Sequence, residues 1–469
     1  MIMQNLYESR ERSEIMSKER SSNGASKKIF FAWPTREVSY AVGAAFLSGY
    51  VTYFATDFMD ISPAMVGIIF MISKIFDGFT DIVAGYIIDR TDTKYGKGRP
   101  YDLAIIGYWL FIVLIFCAPE LGLAPSCIYL FVMYSMVNAV FLTLMQCAGP
   151  VYLANSIDNT QQSVGISAFT GFISLIFTMV ASMILPGIVQ SLGTTRAGWA
   201  KISIMLAIPF TFIGVIRFFV VKEKKAVVEA KVEKITIKKM IVLLSQNKYI
   251  LIFSLIILIS NIGSNMVNNV TTYFYLYIME DLQLAGVMSL SMLAIIIVIV
   301  LTPFLSKKFG FTNVMRATTL IGAFGYLIRL FAIHNIPLLF VTNMVSMMGF
   351  YTMFSFGGTF VLECIDYGEW KTGVRSEGTI ACAQSVTSKI GTAVGVGLVG
   401  VLMGISGYQG SEVVQSEGSR NMIIALFSIV PAVFCIIQFV LLKVYDLDKL
   451  LPQINKDLEE RRSKKNSFE

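Results

Sequence analysis

Apolar runs long enough to cross a bilayer recur along the chain near 38–56, 63–88, 103–118, 125–150, 164–190 and 198–221. A second set follows near 248–278, 283–305, 313–333, 335–363, 378–405 and 421–443. About 20 apolar residues of helix span the hydrocarbon core. The pattern therefore predicts an all-α membrane protein of about twelve transmembrane helices in two groups of six. The predicted organisation is an N-terminal tail over 1–36, a first six-helix bundle over 37–221, a linker over 222–247, a second bundle over 248–444 and a tail over 445–469. The linker is polar and rich in lysine, among them Lys222, Lys231 and Lys239.

Charge settles the expected orientation. Arg90, Lys94, Lys97 and Arg99, the linker lysines, Lys307 with Lys308, and Lys371 with Arg375 fall in alternate loops, whereas 57–62, 119–124 and 279–282 contain no Lys or Arg. By the positive-inside rule this places both termini in the cytoplasm. The first thirty residues lack an apolar stretch of the kind a cleaved leader carries. Of 469 residues 55% are hydrophobic and only 15% charged, which excludes a soluble globular protein and predicts a multi-pass protein of the cell membrane. The net charge of +7 belongs to the tails and loops, so nucleic acid is not an expected partner. Six cysteines without metal spacing, a single histidine (His334), and no nucleotide loop or nucleophile–base set predict neither an enzyme nor a cofactor.

Inside the second apolar run lies the segment Lys74-Ile-Phe-Asp77-Gly-Phe-Thr-Asp81. Positions i, i+3 and i+7 share one helical face. Each ionisable group at membrane depth costs about 2.5–3.5 kcal/mol on insertion scales. Two carboxylates one turn apart suit Na⁺ or H⁺; the alternative is a structural ion pair that locks two helices.

Six plus six helices about a long central loop match the two-half architecture of the major facilitator type, whose site lies near the midplane. Three stretches narrow the resemblance. The first is Lys74–Asp81, continuing through Gly85-Tyr-Ile-Ile-Asp89-Arg90 into Lys94-Tyr-Gly-Lys97-Gly-Arg99-Pro-Tyr101. The others are Asp366-Tyr-Gly-Glu369-Trp-Lys371-Thr-Gly-Val-Arg375-Ser-Glu377-Gly and Ser388-Lys389-Ile-Gly391. Together they resemble the glycoside–pentoside–hexuronide:cation symporters, the family of the melibiose permease. The resemblance implies cation roles for Asp77 and Asp81, with Lys74 as the neighbouring basic position and Thr143 as an assisting hydroxyl. It likewise implies that Lys389 serves the sugar or cation site. Oxygen ligands of this kind suit a hard cation such as Na⁺.

The same resemblance marks departures. The first apolar run has no acid, Ala41 or Ser48 standing at the position expected for one, and Gln146 stands where the fourth run would carry another. The fifth run lacks the expected arginine, and Trp33, Trp109, Trp199 and Trp370 fall outside the expected pocket. In the seventh run Asn261, Asn265, Asn268 and Thr272 share a face, to bind solute hydroxyls or to bond neighbouring helices. Phe354 is a candidate aromatic surface for solute or a core filler. Gln146 joins Lys389, Asn265, Asn268 and Phe354 as the substrate candidates. Asp89, Arg90, Glu363, Asp366, Glu369 and Arg375 are candidates for a cytoplasmic gate of ion pairs between the halves, or else a solvated charged loop. The expected function is cation-coupled (Na⁺ or H⁺) transport of a sugar, glycoside or uronide by a monomer in the lipid bilayer. The alternative is an uncoupled facilitator, or a transporter of lipid or another small solute, with the same fold.

Overall fold

The computed structural model describes residues 27–157, 160–223, 245–373, 377–410, 412 and 414–466. Among these, eleven helices are long and apolar enough to cross a membrane: α1 (Lys27–Asp57), α3 (Arg99–Phe116), α4 (Leu123–Ser156), α5 (Gly165–Leu192), α6 (Arg196–Val220), α7 (Lys248–Ile278), α8 (Gln283–Phe309), α9 (Phe311–Ala332), α10 (Ile336–Thr372), α11 (Ala383–Ile405) and α12 (Glu417–Lys449). The charged helix α2 (Pro63–Arg90, 28 residues) completes the expected twelve. Helix begins at Lys27, well before the run expected at 38, and the tail forms a further helix, α13 (Leu451–Asn466). That helix docks through Asp457, which accepts the Trp370 Nε1–H at 2.8 Å. The linker lysines from 224 to 239 lie outside the described residues.

Hydrophobic periodicity explains the helices but not their interruptions. Prolines 150, 186, 209 and 303 sit inside α4, α5, α6 and α8, where each removes a backbone donor from the helical ladder. Met136–Leu142 in α4 and Phe274–Ile278 in α7 form π-helical turns, the wider winding that often marks functional positions. α12 breaks at Ser428, and the freed Phe427 carbonyl accepts Arg329 Nη1 at 2.9 Å.

Each half has its own packing. In the first, Trp199 sits among the rings of Phe46, Tyr50, Tyr53, Phe54, Phe58 and Phe116, joining α1, α3 and α6. At the other end of that bundle Asp102 is buried between two guanidinium groups, accepting Arg217 Nε at 2.6 Å and Arg36 Nη1 at 3.2 Å. A buried charge of this kind persists only when paired.

The halves meet along α2 and α11. Glycine decides how closely: a Cβ on Gly400 would lie 2.3 Å from the Pro63 carbonyl, and one on Gly67 3.0 Å from the Gly397 carbonyl. Of the other glycines expected at helix contacts, Gly391 and Gly395 seat α7 on α11, whereas Gly78 and Gly85 face open space. Cross-half hydrogen bonds run from the 57–62 loop end down to Lys389. They include Thr52 Oγ1 to Asn269 Oδ1 (2.9 Å) and Thr272 Oγ1 to the Gly49 carbonyl (2.6 Å).

Candidate functional site

The costly charges of α2 are gathered at the seam. Asp77 is only 5% exposed, and its Oδ1 accepts the Thr143 hydroxyl at 2.8 Å. Thr143 is delivered by the π-helical turn just before it, and its hydroxyl also lies 3.2 Å from the Asn138 carbonyl. From the other half comes Lys389, which pairs with Asp81 Oδ2 and stands 3.5 Å from Asp77 Oδ2 and 3.3 Å from the Asp77 carbonyl. Lys74 turns away from this pair: its Nζ donates to Asn138 Oδ1 at 2.9 Å and lies 3.9 Å from Asp77 Oδ2. Two ammonium groups and two carboxylates thus form one neutral cluster that spans both halves.

A cation placed at this cluster would have to displace the Lys389 ammonium from the acids. The oxygens of Asp77, Asp81, Thr143 and the Asn138 carbonyl are the hard donors that Na⁺ prefers. Asp77 and Asp81 both face the Lys389 ammonium, so an incoming cation competes with it for the same oxygens. Among the described residues no group of three or more His, Cys, Asp or Glu could hold a metal. A transition-metal centre is therefore not what this donor set resembles.

Beside the cluster lies a central cavity of about 300 Å³ between the halves. Lys74, Asn138, Tyr40 and Ser48 line it from the first half, and Asn265, Asn268, Asn269 and Thr392 from the second. Its size matches ordinary small-molecule pockets, which begin near 300 Å³. Amides donate and accept at once, so this lining suits a solute that carries many hydroxyl groups. Toward the N-terminal end of α1 the cavity adjoins a chamber of about 630 Å³, the two sharing Tyr40, Ala44 and Ser48.

Several expectations change here. Lys389, a substrate candidate from sequence, is held by the carboxylates and does not line the cavity. Gln146 is exposed and lies outside it too. Of the α7 amide face, Asn265 and Asn268 reach the cavity. Asn261 instead donates to Ser388 Oγ at 3.5 Å, and Thr272 bonds α1. Trp33, expected outside the pocket, forms part of the adjoining chamber wall with Ala41. Ser48 stands in the cavity where an acid was expected.

Four of the six proposed gate residues, Arg90, Glu363, Asp366 and Glu369, have described side chains. Arg90 lies over the ring of Tyr86 in its own helix, 4.2 Å from the centroid, and Glu363 accepts the Tyr445 hydroxyl at 3.0 Å within its own half. Asp366 and Glu369 lie on α10, near its C-terminal end. Arg375 and the side chains of Asp89 and Phe354 lie outside the described residues.

Asn138, Asn269 and Thr392 were missed. A single amide in an apolar run carries little signal, and a π-helical turn shifts which face it joins.

Three kinds of comparison bear on this geometry. A family model described as MFS/sugar transport protein matches residues 37–449. The isoprimeverose transporter of Lactiplantibacillus pentosus is 28% identical over 445 residues, covering 93% of this chain and 92% of that one. The glucuronide carrier protein homolog of Escherichia coli (strain K12) is 24% identical over 435 residues, covering 90% and 93%. Among solved structures, a D-xylose-proton symporter superposes with a TM-score of 0.59 at 13% identity, covering 88% of this chain and 96% of that one. The nucleoside transporter NupG, as its D323A mutant, gives a TM-score of 0.63 at 12% identity, covering 90% and 100%. At such identities the structural matches speak for the fold.

Proposed function

The chain belongs to the MFS/sugar transport family, and on that footing we propose that it is a cation-coupled secondary transporter of a sugar, glycoside or uronide. The observation that carries the reading is the pairing of Asp77 and Asp81 with Lys389 from the opposite half, whose oxygens a cation would take by displacing that ammonium. When Na⁺ or H⁺ neutralises the acids, Lys389 loses its hold. The seam between α2 and α11 then loosens beside the cavity. The solute is held by Asn265, Asn268 and Asn138, with Lys74 available to a uronide carboxylate. Because Asn138 contacts both Lys74 and Thr143, solute and cation occupancy are joined through one residue.

The lysine-rich linker and the basic loops favour a cell-membrane protein with both termini in the cytoplasm. In that orientation the cross-half hydrogen bonds of α1 and α7 lie toward the outside and the larger chamber toward the cytoplasm, and the protein works as a monomer. The halves rock about the site to expose it to either side.

A second reading has its own support. Lys389 already satisfies both carboxylates, as it would in an uncoupled facilitator where the cluster is a plain lock. Uptake of neutral pentosides, glycosides and glucuronides, with and without a Na⁺ or pH gradient, separates the two. The coupled carrier accumulates its solute against a gradient only with the cation, and Asp77→Asn abolishes accumulation. Since coupling is reciprocal, the cation must also tighten solute binding. Equal accumulation by wild type and Asp77→Asn overturns the coupled reading.

A further inference from the structure

The outer ends of α1 and α7 are copies of one another. Thr52-Tyr53-Phe54 is repeated as Thr272-Tyr273-Phe274, and Asp57 stands 220 residues before Tyr277, the same spacing. The turns that follow share an unusual backbone: Asp60 has φ 55° and Glu280 φ 56°. A non-glycine residue adopts this left-handed conformation uncommonly, and here it falls at matching points of the repeat.

The copies bond each other across the pseudo-twofold axis. Thr52 bonds the Asn269 side-chain carbonyl and Thr272 the Gly49 backbone carbonyl, so the two bonds join equivalent positions of the repeat. At the outermost turn the symmetry breaks usefully. Tyr277 donates its hydroxyl to Asp57 Oδ1, a bond that two aspartates or two unbonded apolar residues in these places would not form. Tyr408, brought in by a turn at Gly407 (φ 79°), donates to Asp57 Oδ2 at 3.0 Å. Thr56 adds its own hydroxyl to the carboxylate and meets Tyr273 Oη at 3.0 Å. Among the described residues Asp57 has no cationic partner, so hydroxyl donors alone stabilise its charge. Burial pushes the Tyr408 phenol well above its ordinary range, which keeps it a donor.

We propose that Asp57, Tyr277 and Tyr408 form the latch that closes the central cavity at the end away from the termini. Asp57 is a positioning residue that acts through the two phenols. The proposal rests on the alternating-access reading, but not on the identity of solute or ion. Charge-assisted hydrogen bonds are among the stronger polar contacts, and these three span both halves at one point. Asn269 carries the effect inward, since it lines the cavity and accepts from Thr52 in the same closed seam.

The test uses the full chain in intact cells, with Ser48→Cys as a reporter inside the cavity and a membrane-impermeant maleimide outside. Peptide mass spectrometry reads modification at position 48, so the native cysteines do not interfere. Asp57→Ala is expected to raise external labelling on the order of ten-fold. Tyr277→Phe with Tyr408→Phe keeps both rings and is expected to do nearly the same. Adding Asp57→Ala to that pair is expected to change little more, because all three groups act in one interaction. Should Asp57→Ala fail to reach the membrane, the phenylalanine pair carries the test alone. Unchanged labelling in the phenylalanine pair, or full additivity in the triple variant, overturns the latch. Raised labelling in a carrier whose uptake ignores cations leaves the latch standing and removes the coupling.

Discussion

Lys389 Nζ stands 3.5 Å from Asp77 Oδ2 across the seam between the two halves, while holding Asp81 beside it. The same ammonium therefore neutralises a buried acid and a half-exposed one, and links them to the opposite bundle.

Lys389→Ala removes that link and leaves two carboxylates facing each other. Breaking a fully buried pair typically costs about 3–5 kcal/mol. The side chains here are 22% and 31% exposed at Lys389 and Asp81, so the expected loss is smaller, about 1–2 kcal/mol. Thermal unfolding of the purified protein should show a lowered midpoint that Na⁺ raises again, more than it does in wild type. A midpoint indifferent to Na⁺, Li⁺ and acidification alike would contradict the exchange between cation and lysine.

Asn265→Ala and Asn268→Ala remove amides that line the cavity, whereas Gln146→Ala removes an exposed one outside it. One hydrogen bond is worth about 1 kcal/mol net. Each asparagine variant should accordingly raise the half-saturating solute concentration roughly five-fold, with the cation dependence of uptake retained. Gln146→Ala should stay within about two-fold of wild type. A larger effect at Gln146 than at Asn265 would move the solute site toward α4.

Gly400→Val tests the seam itself. Its Cβ would fall 2.3 Å from the Pro63 carbonyl, a backbone atom that cannot swing aside. The close approach of α2 and α11 in the described state is then forbidden, and overpacking of this kind costs about 1–3 kcal/mol. The expected carrier binds solute from outside but has a much reduced maximal uptake rate. Normal uptake with normal external labelling of the cavity would show that the halves need not pack so closely.

How much of this was legible beforehand differs from residue to residue. Asp77 and Asp81 stood out because charge inside an apolar run is expensive enough to require a reason. Asn265 and Asn268 were visible as a polar face of one helix. Periodicity could not separate them from Asn261, because a face toward a neighbouring helix and a face toward a cavity share the same 3.6-residue spacing. Lys389 was recognisable as a charge inside an apolar run, but nothing local fixes which helix lies opposite it. The latch had a signal in the repeated Thr-Tyr-Phe, but only a comparison of the two halves would have shown it.

Composition and hydrophobic periodicity alone determined a twelve-helix, two-bundle membrane protein and located the charged face of Lys74, Asp77 and Asp81, because bilayer length and the cost of buried charge act on single segments. Which lysine pairs with those acids, which amides open onto a cavity, and which end of the bundle is latched were decided by the tertiary structure. Each of these depends on how closely two helices approach and on where a π-helical turn or a glycine lets them do so. Those are properties of pairs of segments, and no single stretch of the chain contains them.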